Sequence, residues 1–312
     1  MLYKTPHAAW NRVSQPGGHA ALFVGDCSKL LSAIPDSSIS LVITSPPYCM
    51  GKEYEPSNRI EDFAEAHELL LAEVARVLKP GGSACWQVGY HVQRNRVTPL
   101  DFLVYDVAQK FAPELVLRNR IMWHFGHGQH CDRRFSGRHE TILWFSKGSE
   151  YTFNLDAVRV PQKYPGKRAS RGPRQGEYSG NPLGKNPSDV WDIPNVKSNH
   201  VEKTDHPCQF PVALARRLVA ALSCADDVVL DPFSGSGSAG VAALLEGRRF
   251  LGAELLPDYA AIARARLSDT VAGRARFRPD VEVEPPRQNS AVARRPEHFW
   301  QNQSVEIAKQ GA

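Results

Sequence analysis

Two short stretches of this 312-residue chain carry residue types that chemistry needs. The first is Thr44-Ser45-Pro46-Pro47-Tyr48, which follows the apolar run Ser40-Leu41-Val42-Ile43. Each proline removes a backbone donor and fixes φ, so the turn must be stiff and rich in acceptors. The Ser45 hydroxyl and the Pro46 carbonyl can each accept an N–H bond, and Tyr48 offers an aromatic face. A turn just beyond a strand's carboxyl end in an α/β sheet sits where such folds bind ligands, unless it is simply a stiff strand stop. The second stretch is Asp231-Pro232-Phe233-Ser234-Gly235-Ser236-Gly237, with Glu254 seventeen residues beyond Gly237. Glycines at a strand-to-helix turn let the backbone approach a ligand closely, and an acid ending the next strand can take both hydroxyls of a ribose. That combination reads as a nucleoside site.

These residues need strands that end where they begin. Ala20 to Asp26 reads as a short buried strand delivering an acid, and Cys27 to Ile34 as a turn or two of helix. Ile39 to Thr44 is a second strand, stopped by its prolines. Between Glu61 and Leu78, apolar residues spaced by three and four predict an amphipathic helix that ends at Lys79-Pro80-Gly81-Gly82. Strands follow over 82–88, 115–123 and 141–145, with a helix over 99–111. Beyond Pro207 come a helix over 212–223, a strand over 227–231, a helix over 241–246, a strand over 249–254 and a helix over 258–267. Alternating strands and helices predict an α/β fold whose mostly parallel sheet is covered on both faces. Met1 to Gly18, with Pro6, Pro16, Gly17 and Gly18, reads as an arm, and Thr270 onward as a tail.

Lysine plus arginine outnumber aspartate plus glutamate by 38 to 33, and the excess is concentrated. Lys163, Lys167, Arg168, Arg171, Arg174 and Lys185 lie among prolines and glycines, with Tyr164, Tyr178 and Trp191 interleaved. The segment is either a basic linker or a polyanion-facing region, with cations for phosphates and aromatics for bases. Arg133, Arg134 and Arg138 form a second basic group, either phosphate-binding or merely solubilising. The six cysteines show no CxxC pairing, which predicts reduced thiols. No apolar run approaches the roughly 20 residues that span a bilayer, and Met1 to Gly18 lacks a signal-peptide core, so a soluble, non-exported chain is expected.

Three other readings compete. Gly235, Gly237 and Gly240 satisfy GxGxxG, but a dinucleotide fold runs its strand directly into the first glycine, whereas here Asp231-Pro232-Phe233 intervenes. Pro207-Cys208-Gln209 mimics the thiolate motif of cytosine-C5 methylation, which would leave Ser45 to Tyr48 unexplained. His124, His127, His130 and Cys131 suggest a metal, yet their spacing departs from common zinc patterns and arginines surround them. No metal is expected.

Taken together, Thr44 to Tyr48, then a basic variable region, then Asp231 to Gly237 resemble the amino-group DNA methyltransferases of the permuted beta class. His206-Pro207-Cys208-Gln209-Phe210-Pro211 is similar to the family's His-Pro-Thr-Gln-Lys-Pro segment, with Cys208 and Phe210 departing from it. The resemblance spans about Leu22 to Leu267. It implies a Rossmann-like S-adenosylmethionine-dependent fold with circularly permuted motif order, a seven-stranded sheet with one antiparallel strand, and a small target-recognition region. The implied divisions are an arm over 1–18, a catalytic half over 19–150, a recognition region over 151–205, a cofactor half over 206–271 and a tail over 272–312. Ser45, Pro46, Pro47 and Tyr48 would then act on the base. Thr44, His206, Pro207, Gln209, Phe210, Asp231 to Gly237 and Glu254 would form the cofactor side, and Asp26 would meet the adenine amino group.

The resemblance further implies methyl transfer to a flipped base in double-stranded DNA. Serine at the head of the tetrapeptide looks like the cytosine-N4 subgroup, since adenine-N6 enzymes commonly place the stronger acceptor Asp or Asn there. Adenine-N6 remains the runner-up, followed by a cofactor-dependent nucleic-acid binder without catalysis. Either a restriction–modification system with a cognate restriction endonuclease or an orphan epigenetic enzyme, a monomer or homodimer, and a bacterial-type cytoplasmic location, nucleoid-associated when on DNA, complete the expectation.

Overall fold

The computed structural model describes residues 1–49, 59–126, 128, 130–197 and 199–279. In chain order the central elements are β1 (Leu2–Tyr3), α1 (Pro6–Ser14), β2 (Ala20–Val24), α2 (Cys27–Ala33), β3 (Ile39–Thr44), α3 (Ile60–Val77) and β4 (Leu78–Val88). A hairpin of β5 (Tyr90–Gln93) and β6 (Arg96–Pro99) precedes α4 (Leu100–Phe111), β7 (Leu115–His124) and β8 (His139–Lys147). After β9 (Val190–Asp192) come α5 (Val212–Leu222), β10 (Val228–Asp231), α6 (Ser238–Leu245), β11 (Arg249–Glu254) and α7 (Pro257–Val271).

The main sheet runs β1-β2-β11-β10-β3-β4-β8-β7-β9. Every pairing is parallel except those of β8, which runs antiparallel to both neighbours. Among the described residues the sheet thus has nine strands rather than the expected seven. The additions are the edge strands β1 and β9, of two and three residues, too short for periodicity to reveal. The expected arm also differs: α1 occupies Pro6–Ser14 and buries Ala9 and Val13 completely.

Alternation along the strands splits the core. Ala21 and Phe23 of β2 join the large cluster that includes residues of α1 to α4, whereas Leu22 between them packs with Ala260 and Ala263 of α7. Strands buried on both faces explain the nearly unbroken apolar runs of β3 and β10. From β3 the chain crosses through α3 to β4 on one side, and from β10 it crosses through α6 to β11 on the other. The β3/β10 boundary is therefore a topological switch point, where the carboxyl ends of neighbouring strands open a crevice.

Compactness divides the chain into two units. Met1–Asn154 and Asp189–Asp280 form the unit just described, and Leu155–Ser188 belongs to a second. Within the second unit, isolated bridges pair Val160 with Lys185 and Arg168 with Tyr178, and a 3-10 turn covers Leu155–Val158.

Candidate active site

The glycine turn after β10 has the geometry its residues require. Gly235 and Gly237 sit at φ +48° and +77°, where a side chain is strained, and Gly237 is the residue that opens α6. A Cβ on Gly235 would also lie 2.9 Å from His206 Nε2. Glu254, at the end of β11, accepts from the Gly235 amide at 2.8 Å and from the Leu256 amide at 2.9 Å. Each carboxylate oxygen keeps a second lone pair for a ligand. Burial raises the Glu254 carboxyl above its ordinary range, and hydrogen bonds from the Leu256 and Gly235 amides oppose the rise. Arg266 of α7 braces the same turn, donating to the Ser236 carbonyl at 2.8 Å.

The segment before α5 closes one wall. His206 is buried, accepts the Cys208 amide on Nδ1 at 3.2 Å, and stands edge-on to Tyr259 with ring centroids 4.4 Å apart. Gln209 is tied to the Glu202 carbonyl at 2.8 Å and to Thr204. Asp26 caps α2 by accepting from the Ser28 amide and hydroxyl, so its carboxylate is already partly engaged.

Thr44 and Asp231, expected on the cofactor side, are placed off the cleft wall. Both are completely buried. The Thr44 hydroxyl donates to Asp231 Oδ1 at 2.6 Å, linking the carboxyl ends of β3 and β10. Phe233 N donates to the same oxygen at 3.1 Å. The Thr44–Asp231 bond ties the Ser45 turn to the glycine turn.

Ser45, Pro46, Pro47 and Tyr48 face the same cleft as Gly235, Ser236 and Glu254, and its volume is about 880 Å³. That size suits a nucleoside cofactor together with a base, and its walls are largely apolar, as small-molecule sites are. Asp26, His206, Pro207, Gln209, Phe210, Pro232, Phe233 and Ser234 also line it, whereas Gly237 stands behind. Ser45 Oγ lies 3.1 Å from the Tyr48 hydroxyl. Gln87 of β4 donates to that hydroxyl at 2.9 Å and also bonds Glu140 of β8. Sequence reasoning missed Gln87 and Glu140, along with Trp123 and Phe125, which line the cleft from the end of β7. For Gln87 and Glu140 the only sequence signal was a polar residue inside an apolar strand and an acid opening another.

The remaining site predictions divide. Arg133, Arg134 and Arg138 lie on the loop joining β7 to β8, with Arg134 set 5.7 Å from the Tyr90 ring. Lys163, Lys167, Arg168, Arg171, Arg174 and Lys185 are all exposed in the second unit. Arg168 stacks on Tyr178 at 4.1 Å, and Arg174 pairs with Glu177 at 2.8 Å. Among the described residues no metal-holding cluster forms, and His127 lies outside them. His124 and His130 pair with Asp192 and Asp132 instead. Cys208, the thiolate candidate, is exposed at the cleft edge.

A family model described as DNA methylase, for N6 and N4 amino methylation, matches residues 39–265. The chain belongs to this family. The N6/N4 DNA methylase shares 43% identity over 248 residues with the type II methyltransferase M.BglII of Bacillus subtilis, covering 79% of this chain and 68% of that one. It shares 32% identity over 250 residues with the DNA adenine methyltransferase YhdJ of Escherichia coli (strain K12), covering 78% and 81%. Among solved structures, the cytosine-N4-specific PvuII DNA methyltransferase superposes with a TM-score of 0.64 at 22% identity, over 81% of this methylase and 92% of that chain, a likeness of fold. TTHA0409 of Thermus thermophilus, a putative DNA modification methylase complexed with S-adenosyl-L-methionine, has a TM-score of 0.59 and 30% identity, over 82% and 97%. No described helix of the methylase is long and apolar enough to cross a membrane.

Proposed function

We propose that this methylase transfers a methyl group to the exocyclic N4 of a cytosine flipped out of duplex DNA, as the modification enzyme of a type II system. The observation that carries the reading is the shared cleft. The Ser45 turn and the glycine turn line one cavity, and the Thr44–Asp231 bond joins the strands behind them.

The methyl donor is S-adenosylmethionine, which when bound supplies an electrophilic methyl carbon on a sulfonium. The cradle fits it: the side-chain-free Gly235 beside His206, the Glu254 carboxylate for ribose hydroxyls and the Phe233 ring for adenine. Asp26, which also lines the cleft, would accept from the adenine amino group with the lone pairs its helix cap leaves free.

An exocyclic amine on a base is a poor nucleophile, because its lone pair is delocalised into the ring. Ser45 Oγ and the Pro46 carbonyl accept its two N–H bonds and turn the lone pair out of conjugation. Tyr48 holds the ring. Orientation of this kind is worth roughly 7 to 11 kcal/mol. Flipping costs a few kcal/mol, offset partly by stacking in the cleft. Lys163, Lys167, Arg171 and Lys185 of the second unit, together with Arg133, Arg134 and Arg138, contact phosphates.

Serine in the first turn position supports cytosine, and the name of M.BglII supports the type II assignment. Adenine-N6 is the second reading, favoured by the 32% identity to an adenine methyltransferase. Labelled S-adenosylmethionine, unmethylated duplex DNA and nucleoside chromatography test the assignment. The expected product is N4-methyldeoxycytidine; N6-methyldeoxyadenosine would transfer it to the second reading, and an unlabelled duplex would reject both.

A further inference from the structure

One half-buried carboxyl beside the site takes no part in the grip described above. Glu140 is the second residue of β8, opposite Trp123 of β7, and it lines the cleft behind Tyr48. Space for it comes from Gly89, which follows β4. A Cβ there would stand 3.3 Å from Glu140 Oε1 and 3.4 Å from Tyr48 Cε2, so the absent side chain lets carboxylate and ring pack together. The Tyr48 hydroxyl lies 3.5 Å from Glu140 Oε2 and 3.1 Å from Ser45 Oγ. Gln87 Nε2 donates to both Tyr48 Oη and Glu140 Oε2, and so holds the two oxygens side by side.

We propose that Glu140 is a positioning residue that also ends a proton relay running from the substrate amine through Ser45 and Tyr48. This rests on the reading that Ser45 binds the amine. The chemistry requires an acceptor somewhere. As the amine lone pair forms the N–C bond, the C–S bond breaks with its electron pair left on sulfur, and the nitrogen must shed a proton. That proton passes to Ser45 Oγ, the Ser45 proton to Tyr48 Oη, and the Tyr48 proton to Glu140 Oε2. Both hydroxyls are restored and the carboxylate ends neutral, later releasing its proton to water. Gln87 cannot serve as the terminus, because an amide has no basic site at neutral pH.

The carboxyl is poised for the task. Burial pushes it up to about 7, against the hydrogen bonds from Gln87 and Tyr48 that lower it. A group titrating near working pH both accepts and releases protons efficiently. Around it stand Tyr48 from the turn, uncharged Gln87 and Trp123 from β4 and β7, and the histidines His124 and His139 one position further along the β7/β8 ladder. Across the cleft, α3 contributes Asp62, His67 and Glu73 to the walls.

Single-turnover methylation by the full chain, across the neutral range and with a duplex that the wild type modifies, tests the relay. In the wild type the rate should rise with pH about a midpoint near 7, as Glu140 loses its proton. Glu140→Gln should abolish that limb and slow transfer by about 10²-fold, leaving the affinities for S-adenosylhomocysteine and DNA unchanged. Carbon-13 labelling of glutamate should show a carboxyl titrating near 7 in the free wild-type protein and missing from the variant. A wild-type rate in E140Q, or a limb that persists there, overturns the relay. If Ser45→Ala is inactive in the same assay while E140Q keeps its limb, the relay falls and the grip stands.

Discussion

Asp231 ties two strand ends together from inside the core. Its place in a motif suggested a cofactor contact, yet the side chain is enclosed, bonded to Thr44, and has one oxygen, Oδ2, without a hydrogen-bond partner among the described residues. Burial pushes its carboxyl up to about 7, opposed by the bonds from Thr44 and Phe233 and reinforced by Glu254. The unfolded chain releases this proton near pH 4, so between about 4 and 7 the folded state binds more protons than the unfolded one. The contribution of Asp231 to stability therefore falls as pH rises through that window and levels off above it. Asp231→Asn cannot ionise and should flatten the slope, read as urea midpoints at acid and neutral pH; an unchanged slope would show that Asp231 is not its source. Ser45, Tyr48 and Glu254 were legible because their chemistry shows in their type and spacing. Gln87 and Glu140 were not, since the β3/β4 pairing brings Gln87 beside the Ser45 turn and the antiparallel β4/β8 pairing sets the start of β8 next to it, and no local pattern encodes either register.

At the scale of elements, the strands that deliver the site were readable. Each is an apolar run ended by a proline, glycine or acid, and β2, β3, β10 and β11 begin and end within a residue or two of expectation. The misses have specific causes. Pro6 read as a breaker, but proline at the first turn of a helix is favoured because its missing N–H has no partner there anyway, and α1 starts on it. The β5–β6 hairpin turns on Arg94 and Asn95, both at positive φ. Asn is at home in that region, but Arg gives no such sign, so the two-residue turn signal was half present. Edge strands β1 and β9 have too few residues to show a period of two.

Over the whole molecule, the basic stretch Leu155–Ser188 belongs to the second compact unit. Its cations have two jobs. Arg168 and Arg174 are spent on Tyr178, the Gly176 carbonyl and Glu177 within the unit. Lys163, Lys167, Arg171 and Lys185 are exposed and suited to phosphates. Replacing these four by alanine should weaken duplex binding uniformly across sequences and flatten the log–log salt dependence by up to about 0.9 per lost contact. Fluorescence anisotropy at several salt concentrations measures it, and a slope equal to wild type would exclude them from the interface. The proposed function centres on the grip at the carboxyl end of β3. Single-turnover methylation by Ser45→Ala, with cofactor affinity measured in parallel, tests that grip most directly. The prediction is transfer slowed by about 10²-fold with cofactor binding intact, as for loss of one oriented hydrogen bond in a transition state. Unaltered turnover would contradict it.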